Sequence, residues 1–202
     1  MIRRVRPSEF KAMPWKNGRG ETREIAIFPE QASLEDFDWR VSTAKLEGYS
    51  VFSSFPGVDR SVGVLDGGPL VISRPGSDAT RNGRSVIPVM GCTSFPGEAS
   101  IIAHLPAGAD QVTDFNVMTR RRKYRHVLDS CALHGDVTVR GCHVVLQCVR
   151  GGLEVQSAAS GDSTTLSAGE AVVASGNGRW DVELHLSSAS AQLYVVRMFQ
   201  EA

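Results

Sequence analysis

Apolar and polar positions alternate with a period of two along most of the chain, and the alternation restarts after each cluster of Gly, Pro, Ser or Asp. No window sustains the spacing of a long amphipathic helix, so the pattern predicts an all-β chain of short antiparallel strands. The segment 37–43 is the clearest case, with Phe37, Trp39, Val41 and Thr43 on one face and Asp38, Arg40 and Ser42 on the other. The same reasoning predicts strands over 23–28, 61–65, 70–73, 100–105, 137–140, 144–149, 153–156, 171–175 and 193–199. One short helical turn is expected over 7–11, with Ser8 as its cap.

Punctuation adds an internal echo. The stretch around Asp66-Gly67-Gly68 and that around Arg150-Gly151-Gly152 each read as strand, glycine turn, strand, and a further turn follows at Ser167-Ala168-Gly169. Hairpins without intervening helices are the layout of a jelly roll. Two such halves predict two barrels, over 1–110 and 111–202, with strands free to be shared across that boundary. A single large sandwich is the alternative.

Composition narrows the partners. Among 202 residues, 22 Lys and Arg balance 22 Asp and Glu, so no overall field favours nucleic acid, and any anion specificity must be local. No segment approaches the ~20 apolar residues of a membrane span, and the basic N-terminus has no apolar core behind it, so neither a membrane nor a secretory route is expected. Cys92, Cys131, Cys142 and Cys148 form no C-x-x-C pair, which fits reduced thiols and a cytoplasmic protein.

Candidate chemistry concentrates in three places. In Met13–Ile25, Gly18 and Gly20 permit positive φ and close backbone approach, so that Lys16 and Asn17 can be aimed at one point with Trp15 as a wall. Arg60 follows a Pro-Gly turn, and its planar guanidinium suits a carboxylate, either a ligand's or that of Asp59 or a surface neighbour. Asp114 and Asn116 share one face of a β-like stretch; that face is a barrel lumen needing partners such as Lys16 or Arg60, or solvent, or the stretch is a turn. The run Arg120–Arg125 reads as solvated surface rather than a phosphate patch. His104, His126, His134, His143 and His185 are dispersed, with no H-x-H or H-E-x-x-H, and no P-loop or G-x-S-x-G occurs, so no metal or cofactor is expected.

Taken in order, Pro14-Trp15-Lys16-Asn17-Gly18 with Thr22-Arg23-Glu24-Ile25, Trp39-Arg40-Val41-Ser42, Phe55-Pro56-Gly57-Val58-Asp59-Arg60 and Asp114-Phe115-Asn116-Val117-Met118 resemble the HutD/Ves family. Arg19 interrupts the glycine run usual after Trp-Lys-Asn, and Glu21 stands where a small residue is typical. The resemblance implies an RmlC-like cupin fold, a bicupin of two jelly-roll barrels. It also implies a protein without a firmly attached enzymatic activity that binds a small anionic metabolite, such as N-formylglutamate or urocanate, and moderates histidine utilisation. A homodimer is compatible with it. Carried over by motif, Trp15, Lys16, Asn17, Thr22, Arg60, Asp114 and Asn116 become the ligand-binding set, with Arg23 and Arg40 as neighbours.

The expected division of labour places a carboxylate on Arg60 and Lys16, polar substituents on Asn17, Thr22 and Asn116, and an N–H on Asp114. Arg60→Ala is then expected to weaken anion binding while leaving the melting temperature almost unchanged. The rivals are an enzyme using Asp114 as general acid or base with Lys16 at an oxyanion, a metal-dependent cupin enzyme, and a purely structural barrel whose lumen is closed by apolar side chains.

Overall fold

A computed structural model of the chain describes residues 2–15, 20–75, 83–176 and 181–201. In chain order the strands are β1 (Ile2–Val5), β2 (Lys11–Pro14), β3 (Glu21–Phe28), β4 (Trp39–Leu46), β5 (Tyr49–Val51), β6 (Val58–Asp66), β7 (Leu70–Ser73) and β8 (Arg84–Ile87). They continue as β9 (Cys92–Pro96), β10 (Ile102–His104), β11 (Val112–Arg120), β12 (Tyr124–Gly141), β13 (His143–Ser157), β14 (Ser163–Ser167), β15 (Ala171–Ser175) and β16 (Val182–Gln200). The helical turn at Pro7–Glu9 is a single turn of 3-10 helix, closed by the Glu9 carboxylate accepting the Arg6 N–H at 2.9 Å rather than by Ser8.

The strands form three sheets. One runs β2-β3-β4-β11-β6-β9 and faces a second, β5-β10-β7-β8; the third runs β1-β15-β13-β16-β12, with β14 also paired to β13. The fold is that of a cupin, almost all β. β11, the first strand after residue 110, lies between β4 and β6, while β1 pairs with β15 in the other lobe. Both strands cross because their apolar faces find cover there, Val5 and Val117 both joining the core between the lobes.

Three apolar clusters explain the two layers. One, with Leu46, Val62, Val64, Leu70, Ile72 and Ala103, packs part of the interior of the N-terminal barrel. A second, with Leu146, Leu153, Leu166, Leu184 and Leu193, fills the C-terminal barrel. The third is the seam, where Trp39, Val41, Phe115 and Val117 meet Val145, Tyr194, Val196 and Met198. β4 and β11 are therefore covered on both faces, one turned to the N-terminal lumen and one to the seam.

Tyr194 locks the seam. Its hydroxyl donates its one proton to the Gly91 carbonyl at 2.7 Å, with the Val64 carbonyl also within reach at 3.1 Å, accepts the Val64 N–H at 3.0 Å, and its ring stacks on Phe115. Gly63 makes the room, since a Cβ there would lie 2.8 Å from the ring.

The glycine echo has a different meaning in each half. Gly67-Gly68 does turn the chain from β6 to β7, whereas Gly151-Gly152 sits inside the single long strand β13, where the pairing with β16 shifts register. What the two sites share is a tight backbone approach at positive φ: a side chain on Gly67 would strike the Gln111 carbonyl, and one on Gly151 the Ser190 carbonyl. The turn reading fails at the second site because a bulge and a turn use the same residue type.

Candidate functional site

The lumen of the N-terminal barrel holds a cavity of about 510 Å³. Its floor is the inner face of β3, β4, β11 and β6, and β5 with the following segment through Phe55 walls it. The period-two alternation decides which residues reach it. On β4 it sends Arg40, Ser42 and Ala44 inward, and on β11 Asp114, Asn116 and Met118, while Trp39, Val41, Phe115 and Val117 go to the seam. Of the three options for Asp114 and Asn116, the lumen is the one realised.

Arg60, Asn116 and Asp114 form one buried chain, 7%, 3% and 1% exposed. The Arg60 Nε donates to Asn116 Oδ1 at 3.0 Å and its Nη2 donates to the same oxygen. Asn116 Nδ2 donates in turn to Asp114 Oδ1 at 2.7 Å, and the Ala44 N–H donates to that oxygen at 2.9 Å. The guanidinium lies over the Phe52 ring, 4.3 Å from its centroid, and its Nη1 donates to the Ser53 carbonyl at 3.4 Å. Among the described residues Arg60 thus touches an amide oxygen, a carbonyl and a ring face, and no carboxylate.

Burial sets the charge states. It raises the Asp114 carboxyl to about 6, against the pull of the Asn116 hydrogen bond, the Arg60 charge and the Ala44 N–H. Burial also lowers the Arg60 guanidinium to about 10, with Asp114 opposing and Arg40 adding to the shift, so the cation persists at neutral pH. Arg40 is compensated directly. Its Nε donates to Glu24 Oε2 at 2.7 Å, both side chains being buried, and its Nη2 reaches Met13 Sδ.

Trp15 and Thr22 stand at one side of the cavity. The indole Nε1 donates to Thr22 Oγ1 at 2.8 Å, and the ring covers Gly20, where a Cβ would lie 2.8 Å from it. Gly20 therefore serves the close approach expected of it, without the positive φ that was also expected. Lys16 and Asn17 lie outside the described residues, as does Gly18. Trp15, Thr22, Arg60, Asp114 and Asn116 line the one cavity together with Arg40. Arg23 does not; it lies on the opposite face, bonded to Glu21.

Sequence reasoning placed Ser42 on the face of Arg40 without counting it as a site residue, and missed Ala44 and Met118, which one more step of the alternation on β4 and β11 reaches. Leu34, Ser50, Val51 and Ser53 carry no such signal, because they come from irregular segments or a short edge strand. The run Arg120–Arg125 is a structural clamp: Arg121 pairs with Asp59 and Glu98, Lys123 pairs with Asp38, and Arg120 donates to the carbonyls of Phe37 and Glu35. Among the described residues no three His, Cys, Asp or Glu side chains cluster as metal ligands would.

Known structures share this architecture. A conserved protein of unknown function from Pseudomonas aeruginosa PAO1 superposes with a TM-score of 0.84 at 24% identity, covering 98% of this chain and 99% of that one. HutD from Pseudomonas fluorescens SBW25 gives 0.80 at 22% identity over the whole of both chains. The oxalate decarboxylase of Lactobacillus farciminis gives 0.63 at 9% identity, covering 98% and 86%. At these identities the likeness is one of fold. In sequence, Protein Ves of Citrobacter koseri is 38% identical over 117 residues, 56% of each protein, and Protein Ves of Cronobacter sakazakii is 38% identical over 120, 58% of this chain and 61% of that one. The match thus spans little more than half the length of these relatives. The HutD family model matches residues 7–192, and the chain belongs to the HutD family.

Proposed function

We propose that this chain binds a small carboxylate-bearing metabolite in the N-terminal lumen without a metal, in the manner of N-formylglutamate or urocanate, and so moderates histidine utilisation. One observation carries the reading: a buried guanidinium at the cavity floor whose contacts among the described residues include no carboxylate. Such a cation gains most from an anion that reaches it. Thr22, Ser42 and Asn116 offer polar groups farther along, and Trp15 with Phe52 and Phe55 offers apolar walls. Lys16 and Asn17 complete the proposed set. A cytoplasmic location and a homodimer accompany this reading.

The test is calorimetric titration of chelator-treated protein with N-formyl-L-glutamate and with urocanate. Saturable binding without product is expected, and Arg60→Ala should weaken it by about ten- to a hundredfold, the worth of a charge-assisted hydrogen-bonded contact. Because Arg60 is buried, its loss also strands Asn116 Oδ1 and the Asp114 charge. The variant should therefore lose about 1–3 kcal/mol of stability, unlike the neutral change expected for an exposed arginine. A folded Arg60→Ala protein with unaltered affinity would refute the reading.

Asp114 favours a second reading. A carboxyl raised to about 6 beside a cavity suits a general acid. Product formation abolished in Asp114→Asn would establish an enzyme instead.

A further inference from the structure

Asn116 stands between two opposite charges that do not touch. Its Oδ1 accepts from Arg60 and its Nδ2 donates to Asp114, so turning the amide over would set a donor against a guanidinium and an acceptor against a carboxylate. The amide is fixed by both ends, and it holds Asp114 close enough to feel whatever sits on Arg60.

The charged groups around Asp114 can be named element by element. Arg60 faces it from β6, while Arg40 on β4 stands opposite Met118, acts on Arg60 and is bonded to Glu24 on β3. With Asp114 ionised, these two cations and two anions balance. A ligand carboxylate arriving on Arg60 adds a third anion in a space with little water to screen it. Balance returns if Asp114 takes up a proton.

Resting on the anion-binding reading above, we propose that capture is proton-linked: a carboxylate settling on Arg60 delivers one proton from solution to Asp114. No covalent bond to the ligand forms or breaks; the Asp114 carboxylate becomes a carboxylic acid, and the Arg60 cation passes from partial compensation by Asp114 to full compensation by the ligand. The site is poised for this, since burial holds the Asp114 carboxyl at about 6, within reach of neutral pH.

The experiment is calorimetry of formate and of N-formyl-L-glutamate in pairs of non-carboxylate buffers of different ionisation enthalpy, HEPES and Tris near neutral pH and piperazine and MES at acid pH. At about pH 7.5 the buffer dependence should correspond to an uptake approaching one proton, and affinity should fall by up to tenfold per pH unit above that. At about pH 5, where Asp114 already holds its proton, the uptake should largely vanish. Asp114→Asn should remove both the buffer dependence and the pH slope. If that variant does not fold, the native chain's buffer dependence decides alone. Binding with no proton uptake and a flat profile overturns the linkage and leaves the anion site standing. Uptake that persists in Asp114→Asn overturns the assignment to Asp114. Failure of both probes to bind at any pH overturns the linkage together with the reading it rests on.

Discussion

The two barrels of this chain have the same kind of wall and opposite contents. The C-terminal lumen is closed by Leu146, Leu153, Leu166, Leu184 and Leu193, all 3% exposed or less. The N-terminal lumen spends the corresponding inward positions of β4, β6 and β11 on Arg40, Ser42, Arg60, Asp114 and Asn116 and keeps a cavity. A jelly-roll wall satisfies its own backbone whatever its side chains do, so one lumen can be given to packing and the other to polar chemistry. The structural rival weighed from the sequence, an apolar plug, describes the C-terminal barrel and not the N-terminal one.

The strongest way to break this division is to open the plugged lumen. Leu146 is fully buried among Leu, Val and Ala side chains, so Leu146→Ala should cost about 2–5 kcal/mol in urea unfolding through lost transfer energy and a residual void. Ligand affinity at the other lumen should not change. A parallel loss of affinity in the folded variant would show that the C-terminal core shapes the site.

Titration separates the seam from the lumen by sign. At the seam His143 is 1% exposed and burial lowers it to about 4 from its ordinary 6.5. The unfolded chain then holds the proton more readily, so this contribution is present above about pH 6.5 and is lost as pH falls towards 4, by up to about 3 kcal/mol. Asp114 in the lumen runs the other way. Raised to about 6 from 3.8, it favours the folded state below 3.8 and loses that advantage as pH rises through 6. Melting temperatures between about pH 4 and pH 7 should therefore fall more gently on acidification in His143→Phe, and more steeply in Asp114→Asn, than in the parent.

How far the sequence made this legible differs between the same two regions. Inward and outward faces of β4 and β11 follow from alternation, and a strand carrying Asp114 and Asn116 on one face already announces a polar lumen or a solvent face. Choosing between those needed the partner strands, because nothing local records that β11 lies between β4 and β6. The long strands β12, β13 and β16 were read only as short pieces: Gly151-Gly152 bulges β13, and Gly135 and Ser188 fall at register shifts between β12 and β16. The Arg60–Asn116 contact spans 56 positions, beyond any local pattern, although both residue types were recognisable as ligand-binding. Tyr194 was invisible as a lock, since its hydroxyl's partners, Val64 and Gly91, lie across the seam and far away in the chain.

That lock offers a smaller perturbation. Tyr194→Phe keeps the ring on Phe115 but leaves the Val64 N–H and the Gly91 carbonyl without the hydroxyl. A loss of about 1–2 kcal/mol is expected, with hydrogen exchange speeding first at Val64 on β6. Unchanged stability would mean that water replaces the hydroxyl and that the seam rests on apolar contact alone.

The mildest test falls on the rim. Thr22→Val conserves shape but removes the oxygen that accepts the Trp15 Nε1–H at 2.8 Å. Trp15 is only half-buried, so its N–H can turn to water, and stability should fall by no more than about 1 kcal/mol. The indole would then lose its fixed pose over Gly20, and ligand affinity should drop by about threefold if Trp15 walls the cavity, since each half kcal/mol of lost positioning costs roughly a factor of two. A rim substitution that instead lowered the melting temperature as much as Leu146→Ala would mean that the N-terminal barrel depends on its polar residues for folding. The division between a packed lumen and a working one would then not hold.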